Sequence, residues 1–547
     1  MRVLLLRPPT INGAKGVLHD AAPPVGVAYI AGSLEKAGHH VQVIDALGEG
    51  LFQYERIPNN DSIIKRGLSD QEILDRIPED LDFVGVSCMF SVEWPYNRAL
   101  IKKIRKLRPN VTIAAGGEHI TATPAFSLED CAALDFILRG EGEETVVDLV
   151  DALEKGRALE TVDGLGFRQA DGQVYLTPPR KRIMKVEDIP RPAWHLIPIE
   201  QYLDNGISFG VNIGRTMPIV ASRGCPYQCT FCSNPVMWTQ LWRVRPPQDV
   251  VDEIMYYMER YNATNFDFYD LTAIVKKEWV VEMATLLIEK KLNITWQLPS
   301  GTRSEAIDEE VCGLLHASGC RYLNYAPESG SEFILKKIKK VIKIDRMLHS
   351  MKGAVKAGLS VKANILLGFP GETYRHVLET YWFIIRLAAL GIDDVGVFSF
   401  TPYPGSALFN ELVENGAVTM GDEHLISLAQ YADPSLVKSY SEHISDQALR
   451  LLCLMGMALF YATNFVLRPA RFCSFVRNLV LMQPRTKLEV VLNRIRGKLW
   501  GKLFAWLPAP QQPETEFSLL KHDYEQSTTQ ATQAEAHARK PAELTRS

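Results

Sequence analysis

The feature that most constrains this chain is a group of three cysteines within eight residues, Cys225, Cys229 and Cys232, with the spacing C-x3-C-x2-C. A glycine before the group and a proline after its first cysteine favour a turn over a helix. Thiolate sulfur is a soft ligand that suits iron–sulfur chemistry, and three thiolates on one loop can hold three irons of a four-iron cluster. The sequence therefore predicts a [4Fe-4S] site on a loop, with the fourth iron open to a non-protein ligand.

Two other interpretations of the same cysteines are a zinc site and a set of buried free thiols. Structural zinc takes four closed ligands, usually as two closely spaced pairs, but the next cysteine along the chain is Cys312. Three of the nine cysteines fall in this one loop, which is an uneven distribution for unrelated buried thiols. The iron–sulfur interpretation is therefore preferred.

The cysteine loop, with Phe231 just before its third cysteine, resembles the signature of the radical S-adenosylmethionine (SAM) superfamily. The resemblance implies that SAM chelates the open iron through its amino and carboxylate groups. It also implies that an electron from the cluster cleaves SAM to a 5′-deoxyadenosyl radical, which abstracts hydrogen from a substrate. The electron donor that this chemistry requires is expected to be a flavodoxin or ferredoxin with its reductase.

Residues 209–430 show short apolar strands alternating with helices in about six units, for example a helix over Pro247–Tyr261 and a strand over Val361–Leu367. This pattern resembles the partial (β/α)6 barrel of radical SAM enzymes. In such barrels the chemistry takes place on loops at the carboxyl ends of the strands. Three of these predicted strand ends carry short polar or glycine-rich motifs.

The resemblance implies that these motifs bind SAM. Tyr269-Asp270 matches the position of acidic groups near an ammonium, although an aspartate that caps the following turn is an equally good interpretation. Glu328-Ser329-Gly330 matches the ribose-binding turn, but an alanine and a proline precede the glutamate where the family often has glycine. Gly368 to Glu372 matches the turn beside the adenine. The predicted SAM contacts are Tyr269, Asp270, Glu328, Ser329, Gly330, Gly368, Pro370, Gly371 and Glu372. No catalytic acid or base is assigned, because radical formation needs none to begin.

Residues 1–150 also alternate short apolar strands with helices, which predicts a doubly wound, Rossmann-like parallel sheet. Such sheets bind ligands at the carboxyl ends of their strands. The sequence lacks a G-x-G-x-x-G after the first strand and lacks a G-x4-G-K-[ST] motif throughout. Nucleotide binding by those two motifs is therefore not expected.

The glycines at the predicted strand ends of this region resemble the cobalamin-binding domain that precedes many radical SAM domains. The candidate cobalamin contacts are Gly26, Ser87, Gly116, Gly117, His119, Gly140, Glu141 and Gly142. The D-x-H-x-x-G motif that supplies a lower cobalt ligand is absent, so a histidine of that motif is not expected to hold the cobalt. Two interpretations stay open: the glycines are ordinary turn residues, and His119 is a hydrogen-bonding residue of its loop.

Three further regions complete the chain. Residues 151–208 predict an ordered connector, with a hairpin over residues 164–176 that turns at Asp171-Gly172. Residues 431–507 predict a helical, basic region. From Arg450 to Leu507 there are ten lysines and arginines and one acid, and Trp500, Phe504 and Trp506 lie among the last of them. Residues 508–547 have almost no large apolar side chains, which predicts a disordered tail.

The basic C-terminal region suggests contact with a membrane surface. Residues 451–467 are almost wholly apolar, a length at the lower limit for a bilayer span, and basic helices with aromatic side chains suit an anionic lipid surface. The alternative is a buried helix of a C-terminal cap with a solvated basic face. We expect a cytoplasmic protein with peripheral contact through residues 450–507 at the inner face of the membrane. A nucleic-acid partner is not expected, because the formal net charge is −4 and a recognition motif is lacking.

The sequence as a whole predicts an N-terminal doubly wound domain, a partial (β/α)6 barrel and an α-helical C-terminal region. It resembles a cobalamin-dependent radical SAM methyltransferase that methylates an unactivated carbon of a small molecule or a lipid, such as a hopanoid or another isoprenoid. The alternatives are an oxidative cyclase of the anaerobic magnesium-protoporphyrin ester type and a non-catalytic cobalamin or redox sensor. Methylthiotransferases fit less well, because the N-terminal region has only Cys88 and Cys131 to offer as further cluster ligands.

Overall fold

The fold is seen in a computed structural model, which describes residues 1–16, 21–58, 60–303 and 306–481 together with positions 489 and 492. The predicted aromatic side chains at 500, 504 and 506, all of the basic residues after 481 and the predicted tail at 508–547 lie outside the described residues.

The N-terminal half contains ten strands and eight α-helices within the part of the chain that the structure describes. The strands are β1 (Arg2–Arg7), β2 (Thr10–Gly13), β3 (His40–Asp45), β4 (Tyr54–Ile57), β5 (Asn60–Arg66), β6 (Phe83–Ser87), β7 (Thr112–Gly116), β8 (Phe136–Leu138), β9 (Leu165–Arg168) and β10 (Val174–Leu176). The helices are α1 (Val25–Lys36), α2 (Ala46–Glu49), α3 (Asp70–Asp75), α4 (Trp94–Leu107), α5 (Glu118–Ala122), α6 (Pro124–Asp130), α7 (Gly142–Lys155) and α8 (Ile199–Asp204).

The main sheet of this half has the strand order β10-β9-β8-β7-β6-β1-β3. Five of its strands, β3, β1, β6, β7 and β8, are parallel. The chain runs from β1 outward to β3 and then returns to add β6 on the other side of β1. Ligands bind at this kind of switch point in open parallel sheets. All four residues from Val3 to Leu6 are buried, because helices cover both faces of the sheet. The predicted doubly wound sheet is confirmed.

Two features of this half were not predicted. The hairpin of β9 and β10 turns at Gly172, as expected, but β9 pairs antiparallel with β8 and so extends the main sheet into the predicted connector. A separate antiparallel sheet with the order β2-β5-β4 also forms.

The second half begins with six parallel strands in the order β11-β14-β15-β16-β17-β18, with helices between them, and this confirms the predicted partial barrel. Its strands are β11 (Thr216–Ile219), β12 (Ser222–Arg223), β13 (Arg243–Val244), β14 (Asn265–Phe268), β15 (Thr295–Thr302), β16 (Cys320–Glu328), β17 (Ser360–Leu367) and β18 (Asp394–Ser399). Its helices are α9 (Asn234–Trp238), α10 (Pro247–Tyr261), α11 (Lys277–Glu289), α12 (Glu309–Ala317), α13 (Glu332–Lys337), α14 (Ile344–Lys356), α15 (Tyr374–Leu390), α16 (Ala407–Glu414), α17 (Asp422–Ser427), α18 (Asp446–Leu467) and α19 (Pro469–Leu481).

The apolar helix predicted near the C-terminus is α18, which packs along α15 and β18. The Tyr381 hydroxyl donates to the Leu452 carbonyl at 2.6 Å, and Asn464 Nδ2 donates to the Ile392 carbonyl at 3.1 Å. By length and composition, α18 is the one helix among the described residues that is apolar enough to cross a membrane, and 28% of its most apolar window is buried against the protein. Because soluble core helices have the same composition, this is weak evidence for a span.

Candidate active site

The cysteine loop follows β12 and is held in place by Asp270 at the carboxyl end of β14. The Asp270 carboxylate accepts hydrogen bonds from the Ala221 amide at 3.2 Å and from the Ser222 hydroxyl at 2.5 Å. Burial raises the pKa of Asp270 to about 6, against the opposing effect of these donors. Asp270 was predicted to lie near an ammonium group. In the structure its carboxylate instead accepts hydrogen bonds from the segment that leads into the cysteine loop.

The three cysteines of the loop are free thiols and are each half-buried. The loop is closed by hydrogen bonds from the Cys232 amide to the Cys229 carbonyl at 3.2 Å and from Asn234 Nδ2 to the Cys225 carbonyl at 3.3 Å. Among the residues that the structure describes, there is no group of three His, Cys, Asp or Glu side chains gathered around one ion position. Cluster thiolates bind three different irons and so lie farther apart than the ligands of a single ion. The donor set itself, three thiols on one loop, fits a [4Fe-4S] cluster.

Two cations lie on the barrel side of the loop. Lys340 Nζ donates to Glu328 Oε1 at 3.0 Å, and both side chains are buried. The Arg303 guanidinium lies 3.5 Å from the centre of the Tyr227 ring, inside the cysteine loop. Burial raises the pKa of the Cys229 thiol, whereas Lys340 and Arg303 act to lower it. These positive charges therefore stabilise the thiolate form that a metal cluster needs.

Glu328 is the one residue of its motif whose side chain interacts with the cations beside the cysteine loop. It ends β16 with a backbone φ of +66°, a left-handed conformation that is unfavourable for a residue other than glycine and that occurs at functional sites. Ser329 and Gly330 instead fix the turn against α15, because the Ser329 hydroxyl lies 3.1 Å from Thr380 Oγ1 and a side chain at 330 would overlap Phe383. We therefore distinguish a ligand-facing candidate, Glu328, from two residues that support it.

The Gly368–Glu372 turn at the end of β17 is closed by its own glutamate. The Glu372 carboxylate accepts a hydrogen bond from the Phe369 amide at 3.2 Å, while its second oxygen is buried without a partner among the described residues. Burial raises the pKa of Glu372 to about 7. The Gly371 amide donates to Glu442 at 2.7 Å, so the turn is also fixed by the segment before α18. Two carbonyls of the turn also accept hydrogen bonds, Phe369 from the Glu372 amide at 3.0 Å and Glu372 from the Ser441 hydroxyl at 2.6 Å.

The candidate cobalamin residues lie at the carboxyl ends of the parallel strands of the N-terminal sheet. A side chain added at Gly26 or Gly140 would meet no atom within 4 Å, so the crevice is open at these two positions. Gly117, with φ of +118°, lies so close to the Cys88 carbonyl that a side chain there would overlap it. The exposed apolar side chains of Met89 and Phe90 lie in the segment after β6, beyond buried Cys88. An open, glycine-lined crevice with apolar side chains fits a large planar ligand.

His119 does not face this crevice with a free nitrogen. Its ring is 1% exposed and packs 4.9 Å from the Trp94 ring. Nδ1 lies 2.9 Å from Ser91 Oγ, and Nε2 lies 3.3 Å from Thr123 Oγ1. Burial lowers the pKa of His119 to about 3, so the ring is neutral. The prediction that His119 lines the cobalamin site is corrected: it supports its loop from inside, as the alternative interpretation of the sequence expected.

Glu141, another candidate cobalamin residue, belongs to a buried ionic cluster that joins the two halves. Glu141 pairs with Arg182 at 2.6 Å and with Arg223 at 3.2 Å, and Arg223 also pairs with Glu143 at 2.5 Å. Burial alone would raise the pKa of Glu143, but Arg223 holds it below its ordinary value. The same arginine lies 5.0 Å from the centre of the Tyr29 ring. Since Arg223 is two residues before Cys225, this cluster fixes the cysteine loop relative to the N-terminal sheet.

A second contact joins the crevice to the cysteine loop. The Ser233 hydroxyl, one residue after Cys232, donates to the carboxylate of Glu118, the first residue of α5 after β7. The strand-end crevice of the first domain and the cysteine loop of the barrel are thus neighbours, which is the arrangement that two cofactors acting on one substrate require.

Sequence reasoning missed the residues that make these connections. Arg223, Glu143 and Lys340 were not considered as site residues. The signals were weak: an acidic pair at the start of α7, and a run of lysines shortly after the Glu328 motif. Neither pattern indicates its partner, which is far away in the sequence.

Fold and site together define a radical SAM enzyme with a cobalamin-binding domain, and comparison with known proteins agrees. The chain matches the family model for the radical SAM superfamily over residues 219–384 and the model for the B12 binding domain over residues 13–150. It is 33% identical to an uncharacterised methyltransferase of Pyrococcus horikoshii over 83% of this chain and 91% of the relative. It is 29% identical to cytidylyl-2-hydroxyethylphosphonate methyltransferase of Streptomyces wedmorensis over 76% of this chain and 82% of the relative.

More distant relatives have other substrates. An anaerobic magnesium-protoporphyrin IX monomethyl ester cyclase of Rubrivivax gelatinosus is 28% identical over 75% of this chain and 70% of its own length. The hopanoid C-3 methylase of Methylococcus capsulatus is 22% identical over 84% of this chain and 82% of its own length.

Solved structures share the fold. The cobalamin-dependent radical SAM enzyme OxsB has a TM-score of 0.64 at 15% identity, over 99% of this chain and 82% of that one. The radical SAM methyltransferase TsrM of Kitasatospora setae has a TM-score of 0.58 at 16% identity, over 86% of this chain and 99% of that one. The chain therefore belongs to the cobalamin-dependent methyltransferases of the radical SAM superfamily. Its cofactors are a [4Fe-4S] cluster, SAM and cobalamin.

Proposed function

We propose that this enzyme transfers a methyl group to an unactivated carbon of a small molecule or a lipid. The observation that carries the proposal is the contact between Glu118 and Ser233, which sets the open crevice of the first domain beside the cysteine loop of the barrel. When bound, the cluster and SAM supply a 5′-deoxyadenosyl radical and cobalamin supplies the methyl group. The protein binds and orients these groups and excludes water from them.

Each part of the site is assigned a role on this basis. Cys225, Cys229 and Cys232 are the cluster ligands, and Lys340 positions the Glu328 carboxylate for the ribose hydroxyls of SAM. The backbone of the Gly368–Glu372 turn is assigned to the adenine. The open positions Gly26 and Gly140, with Ser87 and Gly116 at neighbouring strand ends, are assigned to the corrin ring.

A lipid substrate is the finer proposal, and the C-terminal helices support it. The exposed side of α18 and α19 carries large apolar side chains, and arginines flank and interrupt it. The exposed apolar residues are Leu451, Leu454, Met455, Val466, Leu467, Phe472, Val476, Val480 and Leu481. Apolar side chains with nearby arginines suit the boundary between lipid tails and anionic headgroups. We infer peripheral contact of the region 450–507 with the inner face of a membrane, where an isoprenoid lipid of the hopanoid type is accessible.

The experiment that tests the function compares lipid and small-molecule extracts from anaerobic cells with and without the gene by mass spectrometry. A product heavier by one methylene that disappears on deletion is the expected result. The methyl carbon added to the product should carry the label when the purified enzyme receives methyl-labelled SAM. A product that differs in its hydrogen and oxygen count instead contradicts methyl transfer and favours the cyclase reaction.

A further inference from the structure

A strongly basic stretch of surface, residues 336–346, lies beside the cysteine loop; we call it the lysine segment. It contains six basic residues and one acid in a chain whose formal net charge is −4. Lys340 is buried against Glu328, and the other five cations are exposed; they are Lys336, Lys337, Lys339, Lys343 and Arg346. The single acid, Asp345, already pairs with Arg386 at 2.8 Å. The four exposed lysines of the segment therefore give this surface a local positive charge.

The lysine segment is bound directly to the cysteine loop. The Thr230 amide, between Cys229 and Cys232, donates to the Ile338 carbonyl at 3.0 Å. Arg303, which stacks on Tyr227, donates to the Val341 carbonyl. A surface cavity of about 950 Å³ has the lysine segment on one wall and residues 226–228 of the cysteine loop on the other. A protein seated here would touch the loop that carries the three cysteines.

The surface combines an exposed apolar side chain with positive charge. Val341 is 75% exposed, and exposed lysines surround it in sequence. An apolar centre inside a charged rim is typical of protein–protein contacts, and electron-transfer encounters are among the smallest of them. Positive charge on this rim attracts a negatively charged partner over several ångströms and raises its association rate.

We propose that the lysine segment is the docking surface for an acidic one-electron carrier protein of the flavodoxin or ferredoxin type. In the encounter, one electron leaves the reduced carrier and enters the iron–sulfur cluster, so the carrier is oxidised and the cluster reduced by one electron each. No bond or proton is exchanged in this step. The proposal rests on the proposed function, because only an enzyme that needs an electron at its cluster needs this partner.

The test is a binding measurement with a charge-reversal variant and a matched control. The variant is Lys336→Glu with Lys339→Glu and Lys343→Glu. The control reverses three exposed lysines at or just after the C-terminal ends of α1, α4 and α11, Lys36→Glu with Lys106→Glu and Lys290→Glu, so the total charge change is the same. Fluorescence anisotropy with a labelled, oxidised flavodoxin measures the Kd of each holoenzyme at low salt. We expect the variant to bind about tenfold or more weakly, with a flatter salt dependence, and the control to lose much less.

Activity measurements separate this proposal from the function on which it rests. Cleavage of SAM driven by reduced flavodoxin should fall in the variant, whereas cleavage driven by dithionite should stay at the wild-type rate. Equal binding by variant and wild type, equal losses in variant and control, or specific competition by inorganic phosphate at constant ionic strength would overturn the docking surface. Failure of the wild type to cleave SAM even with dithionite would overturn the proposed function, and the anisotropy result would still decide where a carrier binds.

Discussion

The two flanks of the cysteine loop use the same kinds of residue in opposite ways. On the side of the N-terminal domain, Arg182 and Arg223 are buried and each has a carboxylate partner in Glu141 or Glu143. On the other side, the lysine segment leaves five cations exposed with one acid among them. A buried charge is tolerated only when it is paired, whereas an exposed one can stay unpaired and act at a distance. Burial thus distinguishes a flank that holds the loop from a flank that is available to a partner.

The largest expected effect comes from removing cysteines of the loop that lies between the two flanks. Cys225→Ala together with Cys229→Ala should abolish the brown cluster absorbance and all SAM cleavage, because two of the three thiolate ligands are lost. Iron content and visible absorbance of the purified protein measure this, and Cys473→Ala, an exposed cysteine outside the loop, is the control. Full iron retention in the double variant would contradict the cluster assignment.

The flank on the side of the N-terminal domain, where each arginine is paired with a carboxylate, should lose much of its stability when one partner is removed. We call it the neutralised flank. Arg223→Met leaves Glu141 and Glu143 buried beside a missing cation, which should lower the free energy of unfolding by about 3–5 kcal/mol. Urea denaturation measures the change. Adding Glu143→Gln should recover part of the loss, because an unpaired carboxylate is then removed; no recovery would show that the loss comes from packing rather than from charge.

On the exposed flank, Lys343→Met should change the free energy of unfolding by only about 0.5 kcal/mol or less.

A smaller effect is expected at the residue that links the lysine segment to the SAM site. Lys340→Met removes a charged hydrogen bond to buried Glu328 and should lower the free energy of unfolding by about 2 kcal/mol. It should also weaken SAM binding, measured by calorimetry, because Glu328 is no longer positioned. The neighbouring exposed Lys339→Met is the control, and weakened SAM binding in that variant alone would contradict the role given to Lys340.

The smallest effect is a pH dependence that only the neutralised flank should show. Arg223 holds the pKa of Glu143 below its ordinary value of 4.5, so this ion pair contributes stability at neutral pH and loses it as the pH falls through the lower, folded-state pKa. The stability difference between wild type and Arg223→Met should therefore narrow below pH 4.5. Urea midpoints at neutral and acidic pH measure it. A constant difference would mean that Glu143 is not ionised against Arg223.

The sequence predicted those parts of the molecule that depend on local patterns. The helix at Pro247–Tyr261 was predicted with both of its ends, because its apolar period and its N-terminal proline and acids lie within it. The β2-β5-β4 sheet was missed, because its short, partly polar strands become stable only by pairing with segments far away. At the site, the sequence predicted that Asp270 and His119 follow strands, but it did not predict which way their side chains point. The Asp270 side chain is oriented by its hydrogen bond with Ser222, and the His119 ring by its packing against Trp94.

The hairpin of β9 and β10 has a consequence for how this protein can be recombined. The family model for the B12 binding domain ends at residue 150, yet the sheet of that domain continues to Leu176. A chimaera joined at residue 150 would leave β8 as an unpaired edge strand, and its backbone groups could then pair with other chains. It would also separate Arg182 from the Glu141 that it meets. The unit that can be exchanged intact between relatives is therefore longer than its signature and extends through Arg182.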